Sequence, residues 1–238
     1  MAEAFVGRKH ELAELRRAMD DAAAGHGQVV LVAGEAGIGK TRMADELAGY
    51  AASLGAVILW AACHAEEETP ALWPWVQALR GCVRDSDDGA QLPHELTERR
   101  ADPPRLPAQA RLGMFKAVSA LLRQAAAPAL LLVLDDLQWA DISSLLLFGF
   151  VARDLCGARI LLVGMYRDVE VPQAHRLAEI ISELPAGSRR LALGGLTEPE
   201  VGRLLALIVG ASPSPELVAA VSRATAGNPL VVRAIGRL

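Results

Sequence analysis

Short apolar runs alternate with amphipathic stretches over the first 194 residues of the chain. The short runs predict buried strands, whereas stretches in which apolar residues recur every three or four positions predict helices. The predicted strands are 28–33, 56–62, 130–134, 159–165 and 190–193. The helices predicted around them are 9–24, 42–54, 73–83, 108–126, 142–155 and 172–184.

The pattern changes near Gly194-Gly195, after which the chain predicts only helices, at 198–209, 214–225 and 228–237. Strands that alternate with helices favour a parallel sheet covered by helices on both faces. We therefore predict an α/β domain over residues 1–194, a three-layer α/β/α sandwich with about five parallel strands, and a small helical subdomain over 195–238. The proline-rich stretch 85–107 and the acidic run 66–68 predict surface segments.

Composition narrows the class of protein. Hydrophobic residues make up 52% and charged residues 22% of the 238 positions, which excludes a disordered chain. The net charge of −4 excludes a protein that binds nucleic acid over its whole surface. Cys63, Cys82 and Cys156 have no ligand spacing and predict buried, reduced thiols of a cytoplasmic protein. No signal peptide is expected, and the longest apolar run, Ala125–Leu134, is too short to cross a membrane.

A glycine-rich segment carries the main candidate chemistry. It fits the Walker A pattern G-x-x-x-x-G-K-[ST] with Gly34, Glu35, Ala36, Gly37, Ile38, Gly39, Lys40 and Thr41. Glycines let backbone N–H groups turn toward an anion, and the helix that follows adds the positive end of its dipole. The segment therefore predicts a P-loop NTPase, with Lys40 on the β- and γ-phosphates and Thr41 as a ligand of Mg²⁺. A plain glycine-rich turn is the alternative.

Charged residues that follow two later strands complete the predicted site. Asp135 and Asp136 end a strand in the manner of a Walker B motif, and the carboxyl ends of parallel strands meet at the edge that holds the phosphate loop. We predict that Asp135 binds Mg²⁺ and that Asp136 polarises an attacking water; the alternative is that Asp136 only caps the next turn. Arg167, just past the next strand, either faces the γ-phosphate or pairs with Asp168 at the surface, and spacing does not separate the two.

Two other groups favour structural roles. The pair Cys63-His64 is more typical of a strand end than of a metal site. Trp73 and Trp75, which flank a proline, are more typical of packing residues than of a ligand cage.

Five stretches, in this order, resemble the STAND class of signal-transduction ATPases, in particular the ATPase module of LuxR-type large ATP-binding transcriptional regulators. They are Phe5-Val6-Gly7-Arg8 with Glu11-Leu12, the loop Gly34–Thr41, Leu131–Asp141, Leu161–Asp168 and Thr225–Val232. The matches span residues 5–232. The Walker motifs alone are shared by many families, whereas the ordered set is specific.

The resemblance implies further roles for individual residues. Val6 and Arg8 are expected near the adenine, Pro229 over the base from a helical lid, and Arg167 as a sensor of the γ-phosphate. With the loop residues and Arg42, these complete the expected contacts to ATP or ADP. Met165 departs from the family, which commonly has threonine there.

The resemblance also implies a larger protein. In such regulators the lid is followed by a winged helix, a superhelical sensor region and a C-terminal helix-turn-helix. We therefore expect a fragment of a regulator that self-associates or contacts its missing domains, and that reaches DNA only through the absent helix-turn-helix.

Three functional hypotheses stand at this point. The first is a switch that binds ATP or ADP with Mg²⁺ and hydrolyses ATP slowly. The second is a platform that holds ADP structurally without turnover. The third is a P-loop kinase acting on a small molecule, which the helical subdomain and the Gly-Asn-Pro element disfavour.

Overall fold

Five short strands form a single parallel sheet in the order β2-β3-β4-β1-β5. The computed structural model describes residues 5–65, 70–84, 107–172 and 175–237. The strands are β1 (Gln28–Gly34), β2 (Val57–Ala62), β3 (Leu130–Asp135), β4 (Ile160–Tyr166) and β5 (Arg189–Leu193). The central strands β3 and β4 are buried along their whole length, whereas the edge strands β2 and β5 are partly exposed. The predicted sheet of about five parallel strands is confirmed.

Helices cover both faces of this sheet. In the described α/β part they are α1 (Lys9–Ala23), α2 (Lys40–Ser53), α3 (Trp73–Arg84), α4 (Ala108–Ala125), α5 (Ile142–Arg153) and α6 (Arg176–Ser182). Along β3, Leu132 packs into the apolar cluster of α3 to α6, and its neighbours Leu131 and Val133 pack into the cluster of α1 and α2. This alternation follows from the two-residue period of a strand, so both faces of β3 are apolar. The three-layer α/β/α prediction is confirmed.

Three further helices form a small subdomain with its own apolar cluster. They are α7 (Glu198–Val209), α8 (Pro215–Thr225) and α9 (Pro229–Gly236). Each starts after a polar capping residue, Thr197, Ser214 or Asn228, and has a proline in its first turn, where a missing N–H costs nothing. Its buried cluster comprises Leu196, Val201, Leu204, Leu205, Val221 and Val232.

A close backbone contact joins the segment that enters the helical subdomain to the turn between α8 and α9. The Leu196 N–H donates to the Gly227 carbonyl at 2.8 Å. A Cβ at Gly195 would lie 1.9 Å from the Ala226 carbonyl oxygen, so only glycine fits there.

Some predictions differ from the structure. The helix predicted over 172–184 is shorter, Arg176–Ser182, because a 3₁₀ turn over Asp168–Glu170 follows β4 and His175 caps the helix at its start. Cys156 is exposed, so its prediction as a buried thiol is wrong: it lies in the turn between α5 and β4. Cys63 is buried as predicted.

Parts of other predictions lie outside the described residues. These are the Cys82 side chain, the acidic run 66–68 and most of the predicted loop 85–107. Among the helices that are described, none has the length and apolar character needed to cross a membrane.

Candidate functional site

The glycine-rich loop connects β1 to the first turn of α2 at the carboxyl edge of the sheet. Gly37 and Gly39 adopt φ values of +75° and +103°, which side chains disfavour. Lys40 and Thr41 then occupy the first turn of α2. Because the first N–H groups of a helix lack intrahelical partners, this loop and helix end form an electropositive cradle for an anion.

Lys40 is held against the backbone of the loop. Its ammonium donates to the carbonyls of Gly34 at 2.8 Å and Glu35 at 3.0 Å, and the residue is only 7% exposed. Burial lowers the pKa of Lys40, and the nearby carboxylates of Asp136 and Asp135 oppose that shift. The structure therefore fixes a buried amine between the loop and two acids.

Thr41 and Asp135 bring two oxygen ligands together from α2 and β3. The Thr41 hydroxyl donates to Asp135 Oδ2 at 2.9 Å. Burial raises the pKa of Asp135, and the hydrogen bond from Thr41 counteracts it. A hydroxyl and a carboxylate are hard oxygen donors, and Mg²⁺ commonly takes one or two such protein ligands together with phosphates and water. The pair fits Mg²⁺.

Asp136 lies at the mouth of the site in a left-handed conformation, with φ of 54°. Its side chain makes no capping bond to the 3₁₀ helix that follows, so the capping alternative is wrong. Instead Oδ1 accepts from Gln138 Nε2 at 2.9 Å and lies 3.5 Å from Arg167 Nε. Gln138 also accepts the Arg167 backbone N–H at 3.1 Å through Oε1. The buried side-chain amide of Gln138 thus links Asp136, just after β3, to the backbone of Arg167, just after β4.

Arg167 lies beside Asp136 and is held by the carboxylate of Glu170 and the ring of Trp139. Its guanidinium donates to Glu170 at 2.9 Å and lies 4.6 Å from the ring centre of Trp139. The hydrogen bond that Arg167 donates to Glu170 and the charge of Asp136 raise the pKa of Arg167. Its ion-pair partners are therefore Glu170 and Asp136, not the neighbouring Asp168 of the surface alternative.

Arg8 ties the N-terminal segment to the loop. Its guanidinium donates to the carbonyls of Ile38, at 3.2 Å, and Gly194, and pairs with Glu11 at 3.3 Å. The side chain of Arg8 therefore braces the loop as well as lining the cavity.

One cavity of about 300 Å³ joins these groups. Of the predicted site residues it is lined by Val6, Arg8, Ala36, Gly37, Ile38, Gly39, Lys40, Thr41, Arg42, Asp135, Asp136, Arg167 and Pro229. Gly34 and Glu35 do not line it; they contribute carbonyls to Lys40. The remaining wall is Phe5, Leu196, Leu204, Leu230 and Arg233. The cavity therefore has a polar end at the sheet edge and an apolar end beneath the helical subdomain.

Sequence reasoning missed several residues of this site. Gln138 lies inside the stretch Leu131–Asp141, yet its bond to the Arg167 N–H requires β3 and β4 to be neighbours. Asn228 donates to the Ala36 carbonyl at 2.9 Å, a contact across 192 positions of sequence. Its place in the Gly-Asn-Pro element was the available signal.

Two further candidates, Cys63 and Trp75, lie in surroundings that favour structural roles. Burial raises the pKa of the Cys63 thiol to about 12, so the thiol stays protonated at neutral pH. Trp75 is fully buried and donates through its indole N–H to the Ser144 carbonyl at 3.1 Å, as a packing residue does.

Comparison with known sequences identifies the family. A family model described as "AAA ATPase domain" matches residues 4–163, about two thirds of the chain. An uncharacterized protein of Rhizobium meliloti (strain 1021) is 26% identical over 270 residues, a match that covers 99% of this chain and 25% of the relative. The chain thus spans about a quarter of that relative's length.

Comparison with solved structures identifies the same fold. A STAND protein with a tetratricopeptide repeat sensor from Pyrococcus horikoshii matches with a TM-score of 0.57 at 19% identity, over 97% of this chain and 29% of that one. A chain of the Drosophila ORC bound to DNA matches with a TM-score of 0.64 at 15% identity, over 100% of this chain and 56% of that one. The fold is that of P-loop ATPases, and with two thirds of its length matched by the family model the chain belongs to the AAA ATPase domain family.

Proposed function

We propose that this chain is the ATP- or ADP-binding NTPase module of a STAND-class, LuxR-type transcriptional regulator, and that it acts as a nucleotide-dependent switch with slow, Mg²⁺-dependent ATP hydrolysis. The observation that carries the proposal is the single cavity. It joins a glycine loop, a buried lysine, a Thr–Asp pair and a second carboxylate to an apolar pocket under the helical subdomain. We refer to that subdomain, residues 195–237, as the lid.

The polar end of the cavity suits the phosphates. The N–H groups at the start of α2 and the ammonium of Lys40 would bind the β- and γ-phosphates, because both are positive and lie at one edge of the sheet. Thr41 and Asp135 would hold Mg²⁺, which neutralises developing charge on the phosphate oxygens when bound. Arg167 would approach the γ-phosphate and exchange its contact with Asp136 for that anion.

The apolar end suits the base. Val6, Leu204 and Pro229 line it from the N-terminal segment and the lid. Aliphatic walls bury the faces of a planar ring.

Asp136 is the residue to which we assign water activation. Both of its contacts use Oδ1, so we assign Oδ2 to the water. In hydrolysis the water oxygen bonds to the γ-phosphorus, the bond from that phosphorus to the bridging oxygen breaks, and ADP leaves. Asp136 accepts the water proton and passes it to solvent or phosphate.

The switch follows from contacts between the lid and the loop. A γ-phosphate would draw Arg167 inward, while the base would contact the lid, so ATP and ADP would stabilise different lid positions. Their differential affinity for those positions is the free energy available for signalling.

A second candidate, an ADP-holding platform without turnover, is favoured by the exposed aliphatic residues of the lid. Leu207, Leu217 and Leu230 are 57%, 51% and 61% exposed. Such side chains suit contact with another copy or with further domains.

Bound nucleotide and phosphate release distinguish the switch from the platform. Purified protein is denatured, any released nucleotide is identified by chromatography, and phosphate release from ATP is followed over hours with Mg²⁺ or with EDTA. The switch predicts slow release that EDTA abolishes. Bound ADP with equal phosphate release in both conditions supports the platform, and failure to bind either nucleotide contradicts both.

A further inference from the structure

The lid touches the phosphate loop directly, through two hydrogen bonds at the start of α9. The side-chain amide of Asn228 donates to the Ala36 carbonyl at 2.9 Å, and the Leu230 backbone N–H donates to the Gly37 carbonyl at 3.3 Å. The same Leu230 N–H lies 3.1 Å from Asn228 Oδ1. Asn228 therefore caps α9 with one end of its amide and holds the loop with the other.

The backbone of the loop is shaped for this contact. A Cβ at Gly37 would lie 2.7 Å from Leu230 Cβ and 3.1 Å from Asn228 Oδ1. Cβ atoms essentially never lie within 3.0 Å of another heavy atom, so the contact with Leu230 requires glycine and lets lid and loop meet. The glycine at the fourth position of the loop thus serves the lid contact as well as the loop's own φ of +75°.

The contact also orients a peptide group. A trans peptide is planar, and its C=O and N–H point to opposite sides. Since the Ala36 carbonyl is turned toward Asn228, the N–H of Gly37 in the same peptide unit is turned away from the lid. A hydrogen bond from the lid therefore sets the direction of a donor in the loop that the proposed phosphates would use.

We propose that Asn228 is a positioning residue that latches the lid onto the phosphate loop, so that nucleotide leaves only after its amide releases the Ala36 carbonyl. This rests on the proposed function in assuming that nucleotide occupies the cavity. The latch is made of protein atoms alone, and the bond lies at an exposed position where water competes. It therefore slows exchange without locking the lid.

The test measures dissociation of a fluorescent ADP, the N-methylanthraniloyl derivative, from the whole chain after mixing with excess ADP. Asn228→Ser keeps an oxygen that caps α9 but is too short to reach the Ala36 carbonyl. Asn228→Ala loses both contacts. Because one neutral hydrogen bond contributes about 1 kcal/mol, both variants are expected to release the probe about 3- to 10-fold faster than wild type.

Ser214→Ala is the matched control. Ser214 caps α8 in the same lid through its hydroxyl, which accepts from the Leu217 N–H at 3.3 Å. The Ser214→Ala variant should leave the release rate of the probe unchanged while lowering the melting temperature slightly.

Each result is decisive. Faster release in Asn228→Ser with an unchanged control supports the latch. Faster release in Asn228→Ala but not in Asn228→Ser assigns Asn228 to helix capping alone and overturns the latch, as does an unchanged rate in both. A wild-type chain that does not bind the probe contradicts the proposed function itself.

Discussion

The two walls of the cavity are built in different ways. On the sheet side, Lys40 and Asp135 are each 7% exposed and are held by elements packed into the two large apolar clusters. On the lid side, the cluster comprises six buried residues with a few partly buried ones packed against it, and the contact to the loop is made by Asn228 and by Leu230, which is 61% exposed. In the proposed function, the residues that carry the chemistry lie on the wall with the larger buried clusters, and control of access falls to the wall with the smaller one.

The largest expected effect is a loss of ATP turnover when Asp136, on the sheet side of the cavity, is changed. Asp136→Asn should keep nucleotide affinity within about twofold but lower ATP turnover by about 10²–10⁴, because a general base is lost. Phosphate release and nucleotide titration measure the two quantities. Asp45→Asn, exposed on α2, is the control. Unchanged turnover in Asp136→Asn would favour the platform.

The next effect concerns binding on the same wall. Lys40→Ala should weaken ATP and ADP about 100-fold, because charge-assisted bonds of about 3 kcal/mol are lost. Titration calorimetry measures it, with Lys116→Ala, exposed on α4, as the matched control. Equal affinity in Lys40→Ala and wild type would place the nucleotide elsewhere.

Two core variants compare the stability of the lid with that of the α/β part. Leu205→Ala, in the lid cluster, should cost about 2 kcal/mol and raise lid opening roughly 30-fold, leaving amide exchange in β1 unchanged. Leu132→Ala, in β3, should lower the free energy of unfolding of the whole α/β part by about 2–5 kcal/mol. Hydrogen exchange read by mass spectrometry distinguishes them. Equal loss of protection in β1 would show that lid and core unfold as one unit.

The smallest effect is the pH dependence of Mg²⁺ binding. In the proposed function Mg²⁺ binds the Asp135 carboxylate, and burial raises the pKa of that group above its ordinary value of 3.8. The Mg²⁺-dependent gain in ATP affinity should therefore begin to fall at a higher pH than it would for an aspartate with the ordinary pKa. Titrations without Mg²⁺ are the control. A gain that falls no earlier than expected for an aspartate with the ordinary pKa would contradict this role for Asp135.

Local patterns predicted the sheet wall better than the lid wall. The strand before Gly34, the glycine spacing and Asp135 at the end of an apolar run are all visible over a few residues. Their meeting follows because parallel strands share a carboxyl edge. The three lid helices were predictable as helices from their periodicity and caps.

The contacts of Gln138 and Asn228 could not be predicted from the sequence because they are long-range. The bridge through Gln138 requires β3 and β4 to be neighbours, and the bond from Asn228 to Ala36 requires the lid to fold back across the loop. The surface alternative for Arg167 was a pair with Asp168, whereas its partners are Glu170, three residues along the chain, and Asp136, just after β3. The bonds from Gln138 to Arg167 and from Asn228 to Ala36 have no local pattern, because each depends on how separate elements pack.

The most direct measurement of the central claim, that nucleotide lies between the loop and the lid, is hydrogen exchange with and without ADP and Mg²⁺. The account predicts added protection in peptides from both the loop, 34–41, and the start of α9, 228–236. Protection confined to one of them, or to neither, would contradict a site shared by the two walls.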